Sequence, residues 1–289
     1  MPELPEVEFA RRALVRWMKR RTVVAAEADP KARTFRGANP KAFEALRGTL
    51  ERAERRGKYL MLAFSGGRGL VAHFGMTGKL VKRPKGEAVP FSRARLVLDS
   101  GEVIHFRDPR LLGRLEPLPS DSLASAKAVK ALGIDPLVDG LTPKTLEGAV
   151  RTTKKDLKIA LMDQERVAGL GNIHAAEALF RAGLNPTRKP ASLTPAEWTR
   201  LCQAILDSIA FGLEQAGDAD DIEYVEEPGA ENPFLVYGRE GTPCVRCGTR
   251  VRALTQGGRT THYCPSCQPS RPRAKTASAP KRAKAKPKR

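Results

Sequence analysis

Apolar residues along the chain follow two different periods. Between Glu3 and Arg20, residues Val7, Ala10, Ala13, Leu14, Trp17 and Met18 recur at helical spacing. Pro5 suits a first helical turn, so the chain is predicted to open with an amphipathic helix. Beyond it the runs are short and β-like: Thr22 to Ala28, Lys58 to Phe64, Leu70 to Phe74, Leu96 to Leu98 and Val103 to Phe106. Turn signals at Ser65-Gly66-Gly67 and Asp99-Ser100-Gly101 separate them, and this half reads as antiparallel sheet in two layers. After Leu118 the composition shifts to Pro, Ser and Ala, and from Pro143 to about Gln215 the pattern is helical. One helix start, Thr194-Pro195-Ala196-Glu197, combines capping-box spacing with Pro at the first helical position. Nearer the C-terminus, Val251 to Leu254 and Thr260 to Tyr263 flank Gln256-Gly257-Gly258, a hairpin signal. The predicted fold class is α+β. It divides into an antiparallel β-sandwich with a flanking helix over 1–118, a linker over 119–135, a helical unit over 136–237, a hairpin unit over 238–269 and a tail over 270–289.

Charge turns this two-body outline into a protein with a polyanionic partner. Lys plus Arg number 51 against 32 Asp plus Glu in 289 residues, a net charge of +19. Nine of the basic residues lie between Ser270 and Arg289 among Ala, Pro, Ser and Thr, a composition that cannot build a core. Removing them still leaves +10 on the rest. Each phosphate such a surface neutralises releases condensed counterions, which favours nucleic acid as the ligand. No apolar run approaches the ~18 to 20 residues that span a bilayer. The first residues lack the basic and apolar segments of a secretory signal, so a cytosolic, nucleoid-associated location is expected.

Cys244 and Cys247 are separated by two residues, as are Cys264 and Cys267, with sixteen between the pairs. That spacing lets four thiolates converge tetrahedrally on one structural zinc ion. Disulfides are disfavoured in a reducing location, and redox activity would not need a matched second pair. Cys202, inside a helical pattern, reads as a small buried residue, and His262 as a strand residue beside a ligand set that is already complete.

The N-terminus carries a second chemical possibility. Met1 before Pro2 is normally trimmed, which leaves a secondary amine. An α-amino group titrates near ~8, against ~10.4 for lysine, so a useful fraction is neutral and nucleophilic at physiological pH. Glu3 adjoins it and can move protons. The same residues also read as an ordinary helix start, where negative charge is favourable.

The opening Pro2-Glu3-Leu4-Pro5-Glu6-Val7-Glu8 resembles the start of the formamidopyrimidine-DNA glycosylases. So, in order, do Arg55-Arg56-Gly57-Lys58-Tyr59-Leu60, His73-Phe74-Gly75-Met76-Thr77-Gly78, Asp108-Pro109-Arg110, Leu161 to Gln164 with Gly169 to Ile173, Val236 to Arg239, and the cysteine finger. The resemblance covers residues 2 to 268 and implies a bifunctional DNA glycosylase and AP lyase that removes oxidised purines (formamidopyrimidine, 8-oxoguanine) from duplex DNA in base excision repair. It implies Pro2 as the nucleophile that forms a Schiff base at C1′, Glu3 as the proton-transfer acid, Lys58 in β-elimination and Arg259, at the hairpin tip, on phosphate and in δ-elimination. Gly169-Leu170-Gly171-Asn172 lacks the strand and third glycine of a dinucleotide loop. By resemblance it is instead the turn of a helix-two-turn-helix, with Asn172 on phosphate. Lys154, Lys155 and Lys158 precede this turn and read either as phosphate contacts or as solvated helix lysines. Met76, Arg110 and Leu112 match the positions that fill the void when a nucleotide is flipped, although Met76 and Leu112 would otherwise read as core.

The chain departs from the family at several points. Leu112 stands where an aromatic residue is usual, Phe91 and Arg93 replace histidines, and His174 replaces Tyr. The loop from Ile222 to Pro233 is unlike the segment that closes over 8-oxoguanine. The expected partner is duplex DNA with an oxidised base or abasic site, bound by a monomer with no nucleotide cofactor. Two rival readings remain: endonuclease VIII-like excision of oxidised pyrimidines, and a non-enzymatic zinc protein that binds damaged DNA.

Overall fold

The computed structural model describes residues 2–29, 32–35, 39–216 and 223–270. Met1, the acidic residues 218–222 and all of the expected basic tail except Ser270 lie outside the described residues. The opening helix forms as α1 (Leu4–Trp17), and its buried stripe includes Val7, Ala10, Ala13, Leu14 and Trp17. Its start is a capping box in which the Glu6 carboxylate accepts from the Glu3 backbone N–H at 2.7 Å.

Eight antiparallel strands follow: β1 (Thr22–Ala28), β2 (Gly48–Arg56), β3 (Tyr59–Phe64), β4 (Arg68–His73), β5 (Lys79–Pro84), β6 (Ser92–Leu98), β7 (Glu102–Arg107) and β8 (Arg114–Pro119). Their spatial order is β5-β7-β6-β1-β2-β3-β4-β8. Strands β1 and β2 share only two residue pairs, Thr22 with Thr49 and Val23 with Gly48. That narrow joint lets the run fold over on itself. Leu60, Leu62, Phe64, Leu70 and Ala72 from one half meet Ala94, Leu96, Ile104 and Phe106 from the other in a single core, closed by α1 and by Phe43 of α2 (Pro40–Glu44). The expected two-layer sandwich is therefore present. Its strands β2, β5 and β8 do not coincide with any apolar run in the sequence.

Residues 119–135 are more than a tether. Leu123, Ala126 and Val129, the last in α3 (Lys127–Lys130), cover Met61, Ala63 and Val71. Strand β3 alternates sides, so its inner residues face the sandwich core while Met61 and Ala63 need this outer cover.

The helical half comprises α4 (Pro143–Val150), α5 (Leu157–Leu161), α6 (Asn172–Ala182) and α7 (Pro195–Ala216). The Thr194/Glu197 box forms reciprocally, at 2.8 and 3.3 Å. Leu4, from the start of the chain, is buried in this second core with Leu161, Leu170, Leu179 and Trp198. Strands β9 (Arg252–Gln256) and β10 (Arg259–Tyr263) make the expected hairpin. It is tied to α6 through a small cluster of Ala176, Phe180, Val236, Val251, Cys244 and Cys264. Among the described residues no helix is long and apolar enough to cross a membrane.

Candidate active site

The Glu3 side chain is fully buried and points across the molecule at the N-terminus of α6. Its carboxylate accepts backbone N–H groups from Gly171 at 2.7 Å, Ile173 at 2.8 Å and His174 at 3.2 Å. These are the donors a helix leaves unsatisfied in its first turn, and the helix dipole adds to their pull. Burial alone would raise the Glu3 pKa. The Lys58 and His174 charges and the Ile173 and His174 N–H bonds outweigh it and hold the carboxyl below its usual range. Glu3 is thus an anion at neutral pH, ready to accept a proton before it can return one.

Gly171 is glycine because of what surrounds it. A Cβ there would fall on the Glu3 carboxyl and 2.6 Å from Lys58 Nζ. Lys58 is half-buried at the β2–β3 turn. Loss of solvent lowers its pKa, and Arg259 adds to that against the opposing pull of Glu3. The turn is fixed by a carboxylate the sequence reading passed over. Asp135, fully buried, accepts from Gly57 N–H at 2.6 Å and from the Arg55 guanidinium at 2.6 and 3.0 Å. Arg56 adds a paired contact to Asp139 at 2.9 and 2.8 Å. His73, quoted only as part of a motif, is pulled down to about 4 by burial, with Lys58 and Arg114 adding to the effect. It is therefore neutral, and its Nδ1 accepts the Gly75 N–H at 3.1 Å.

The three void-filling candidates stand together at the surface. Met76 is 40% and Leu112 41% exposed, and Arg110 is exposed as well, so neither apolar residue belongs to the core. Gly75, with φ +65°, lets the two loops touch: a Cβ on it would meet the Leu112 carbonyl carbon at 2.5 Å. Buried Asp108 holds both loops, accepting from the Thr77 hydroxyl at 2.8 Å, Arg110 N–H at 3.3 Å and Gly113 N–H at 2.7 Å.

The four cysteine sulfurs lie within 4.8 Å of one another. Four thiols converging in this way fit a closed tetrahedral zinc site with no position left for substrate. Beyond them the hairpin carries Arg259, which is exposed. His262 stays outside the cluster, its Nδ1 accepting Gly238 N–H at 3.2 Å, and Cys202 is buried in the helical core. Lys158, Asn172 and the hairpin form one joint. The buried Lys158 ammonium donates to Asn172 Oδ1 and, at 2.8 Å, to Thr261 Oγ1, while Asn172 Nδ2 donates to the Thr260 carbonyl at 3.1 Å. Burial, reinforced by the nearby Arg259 charge, lowers the Lys158 pKa to about 8. Lys154 stays exposed outside this joint, and Lys155 pairs with Asp163 at 3.0 Å. His174 is scaffold: its ring is buried, with Nδ1 2.9 Å from Ser208 Oγ.

Three family models match the chain: the formamidopyrimidine-DNA glycosylase N-terminal domain over residues 1–115, the formamidopyrimidine-DNA glycosylase H2TH domain over 132–222, and a zinc finger found in FPG and IleRS over 241–269. A formamidopyrimidine-DNA glycosylase of Pelotomaculum thermopropionicum is 38% identical over 282 residues, covering 93% of this chain and 99% of its own. The crystal structure of MutM (FPG) from Thermus thermophilus superposes with a TM-score of 0.79 at 36% identity, covering 94% of this chain and 100% of that one. Lactococcus lactis Fpg in complex with abasic-site DNA gives 0.82 at 26% identity, covering 92% and 99%. Fold and site together define a zinc-finger DNA glycosylase whose catalytic residues gather at its N-terminus. The chain belongs to the formamidopyrimidine-DNA glycosylase family.

Proposed function

We propose that, once Met1 is removed, the Pro2 amine attacks C1′ of an oxidised purine nucleotide in duplex DNA. The bond to the base breaks, the base leaves with the bonding electrons, and a Schiff base to the opened sugar then undergoes β- and δ-elimination. The observation that carries this reading is the cluster at the start of the chain, where Glu3 is a buried anion beside Lys58 at the α6 N-terminus. An attacking amine must lose a proton, and a carboxylate held at low pKa beside it accepts that proton and returns it to the opening sugar ring. Lys58, made less basic by burial, suits proton abstraction in β-elimination.

Met76, Arg110 and Leu112 fill the void left by the flipped nucleotide, Arg259, Asn172 and Lys154 face phosphates, and Lys158 sets Asn172 and the hairpin in place. Zinc, held by Cys244, Cys247, Cys264 and Cys267, gives the hairpin the rigidity to present Arg259. The working units are 1–118, 136–237 and 238–269, acting on chromosomal DNA as a monomer without a nucleotide cofactor. Borohydride trapping on abasic DNA, with mass spectrometry of the linked peptide, tests the reaction. The expected adduct is on Pro2. An adduct on Lys58 alone reassigns the nucleophile, and none from protein lacking Met1 refutes the lyase chemistry.

A further inference from the structure

The loop between α7 and the zinc hairpin is fastened at both ends. At one, the Tyr224 hydroxyl donates to the Gly78 carbonyl at 2.7 Å, and the Lys79 ammonium lies 5.7 Å from the centre of its ring. Both Glu227 carboxylate oxygens accept from that same ammonium, at 2.9 and 3.1 Å. At the other end Glu177 of α6, itself fully buried, accepts backbone N–H groups from Leu235 at 3.1 Å, Val236 at 2.8 Å and Tyr237 at 3.0 Å.

Tyr224 is only 6% exposed, although loop residues ordinarily lie in solvent. Burial, then the charges of Glu6, Glu227, Glu226 and Asp108, push its pKa well above the usual phenol value, so it remains a hydrogen-bond donor. Those neighbours also locate it. Glu6 holds the Glu3 backbone, Asp108 holds the Arg110 and Leu112 loop, and Gly78 is two residues from Met76. Tyr224 thus stands between the amine end of the site and the residues that fill the flipped-out void.

We propose that residues 223–237 form a strap preset on the base side of the site, with Tyr224 as the positioning residue that sets which damaged base is accepted. The inference rests on the reaction proposed above. A loop fastened before DNA arrives carries no ordering cost at binding, and its shape, fixed in advance, discriminates among bases. An abasic sugar presents no base to this wall, so the strap acts on base release and not on Schiff-base formation.

Tyr224→Phe removes the hydrogen bond while keeping the ring, and Glu227→Gln weakens the hold on Lys79. Each is compared with the wild type for excision from duplexes carrying 8-oxoguanine, formamidopyrimidine or thymine glycol, and for borohydride trapping on abasic DNA. Excision of at least one lesion is expected to fall by roughly three- to tenfold, the scale of one lost buried hydrogen bond, with a changed ranking among lesions. Trapping on abasic DNA is expected to stay within about twofold of wild type on the same scale. Unchanged excision and ranking overturn the strap, and so does a parallel fall in excision and trapping, which assigns Tyr224 to the amine's own environment. Failure of the wild type to trap overturns the proposed reaction, a result distinct from either. Glu227, more exposed than Tyr224, keeps the test decisive if Tyr224→Phe fails to fold.

Discussion

Gly171 and Glu3 lie 168 positions apart in sequence, and the Gly171 N–H donates to the Glu3 carboxylate at 2.7 Å. The residue beside the nucleophile is therefore oriented by a helix in the other half of the protein. Leu4 locks the arrangement: its N–H bonds the Gly169 carbonyl at 3.0 Å, and its side chain is buried in the helical core.

Gly171→Ala tests that relationship. Its methyl would collide with the Glu3 carboxyl and Lys58 Nζ. Overpacking of this kind costs about 1–3 kcal/mol, here directed at the reacting groups, so cleavage of abasic DNA should fall by roughly tenfold or more. Wild-type cleavage rates in a folded variant would remove the claim that Gly171 sets the site.

Asp135→Ala should destabilise the protein by about 3–5 kcal/mol, because it leaves the Arg55 guanidinium buried without its partner. Urea unfolding measures the loss. Because the same carboxylate holds the Gly57 N–H next to Lys58, activity should fall even at low temperature where the variant is folded. A variant that loses stability but keeps full activity separates the turn from catalysis.

Lys158 makes stability depend on pH in a defined direction. Its folded pKa of about 8 lies below the ~10.4 of an unfolded lysine. Between those values the unfolded chain binds the extra proton, so this group's contribution rises with pH, and its cost is fully present below about pH 8. The melting temperature of wild type relative to Lys158→Met should therefore climb from pH 8 to 10. Parallel curves across that window contradict the assignment.

Leu112→Ala removes an exposed side chain, so unfolding free energy should change by no more than about 0.5 kcal/mol. If Leu112 wedges into the duplex, lesion excision should nevertheless drop by roughly tenfold, the scale of one lost apolar insertion. Leu112→Phe should equal or exceed wild type. Excision rates that ignore both substitutions place the wedge elsewhere.

Chelation of zinc, or Cys247→Ser, should weaken binding to abasic DNA as the hairpin loses its fixed shape. At saturating DNA the Pro2 adduct should still form. Loss of the adduct at saturation, with the rest of the fold intact, would give the finger a role in the amine chemistry itself.

The sequence by itself determined the parts whose information is local. Cysteine spacing specified the metal cluster, helical period gave α1, and Thr194 with Glu197 placed the start of α7 within the described residues. The order of family motifs identified the catalytic residues as a set. Strands β2, β5 and β8 escaped detection because their residues are largely charged or interrupted by Pro. Their strand character comes from the partners they bond to, and β5 and β8 are edge strands, where charge is common. Tertiary structure alone decided what depends on proximity across the chain. Asp135 on the turn of Lys58, Tyr224 on Gly78 and Glu3 at the head of α6 each join residues that no local period relates. The exposure of Met76 and Leu112 belongs here too. Apolarity alone predicts burial, and only the fold shows that two adjacent loops, held by Asp108, present these side chains to the outside.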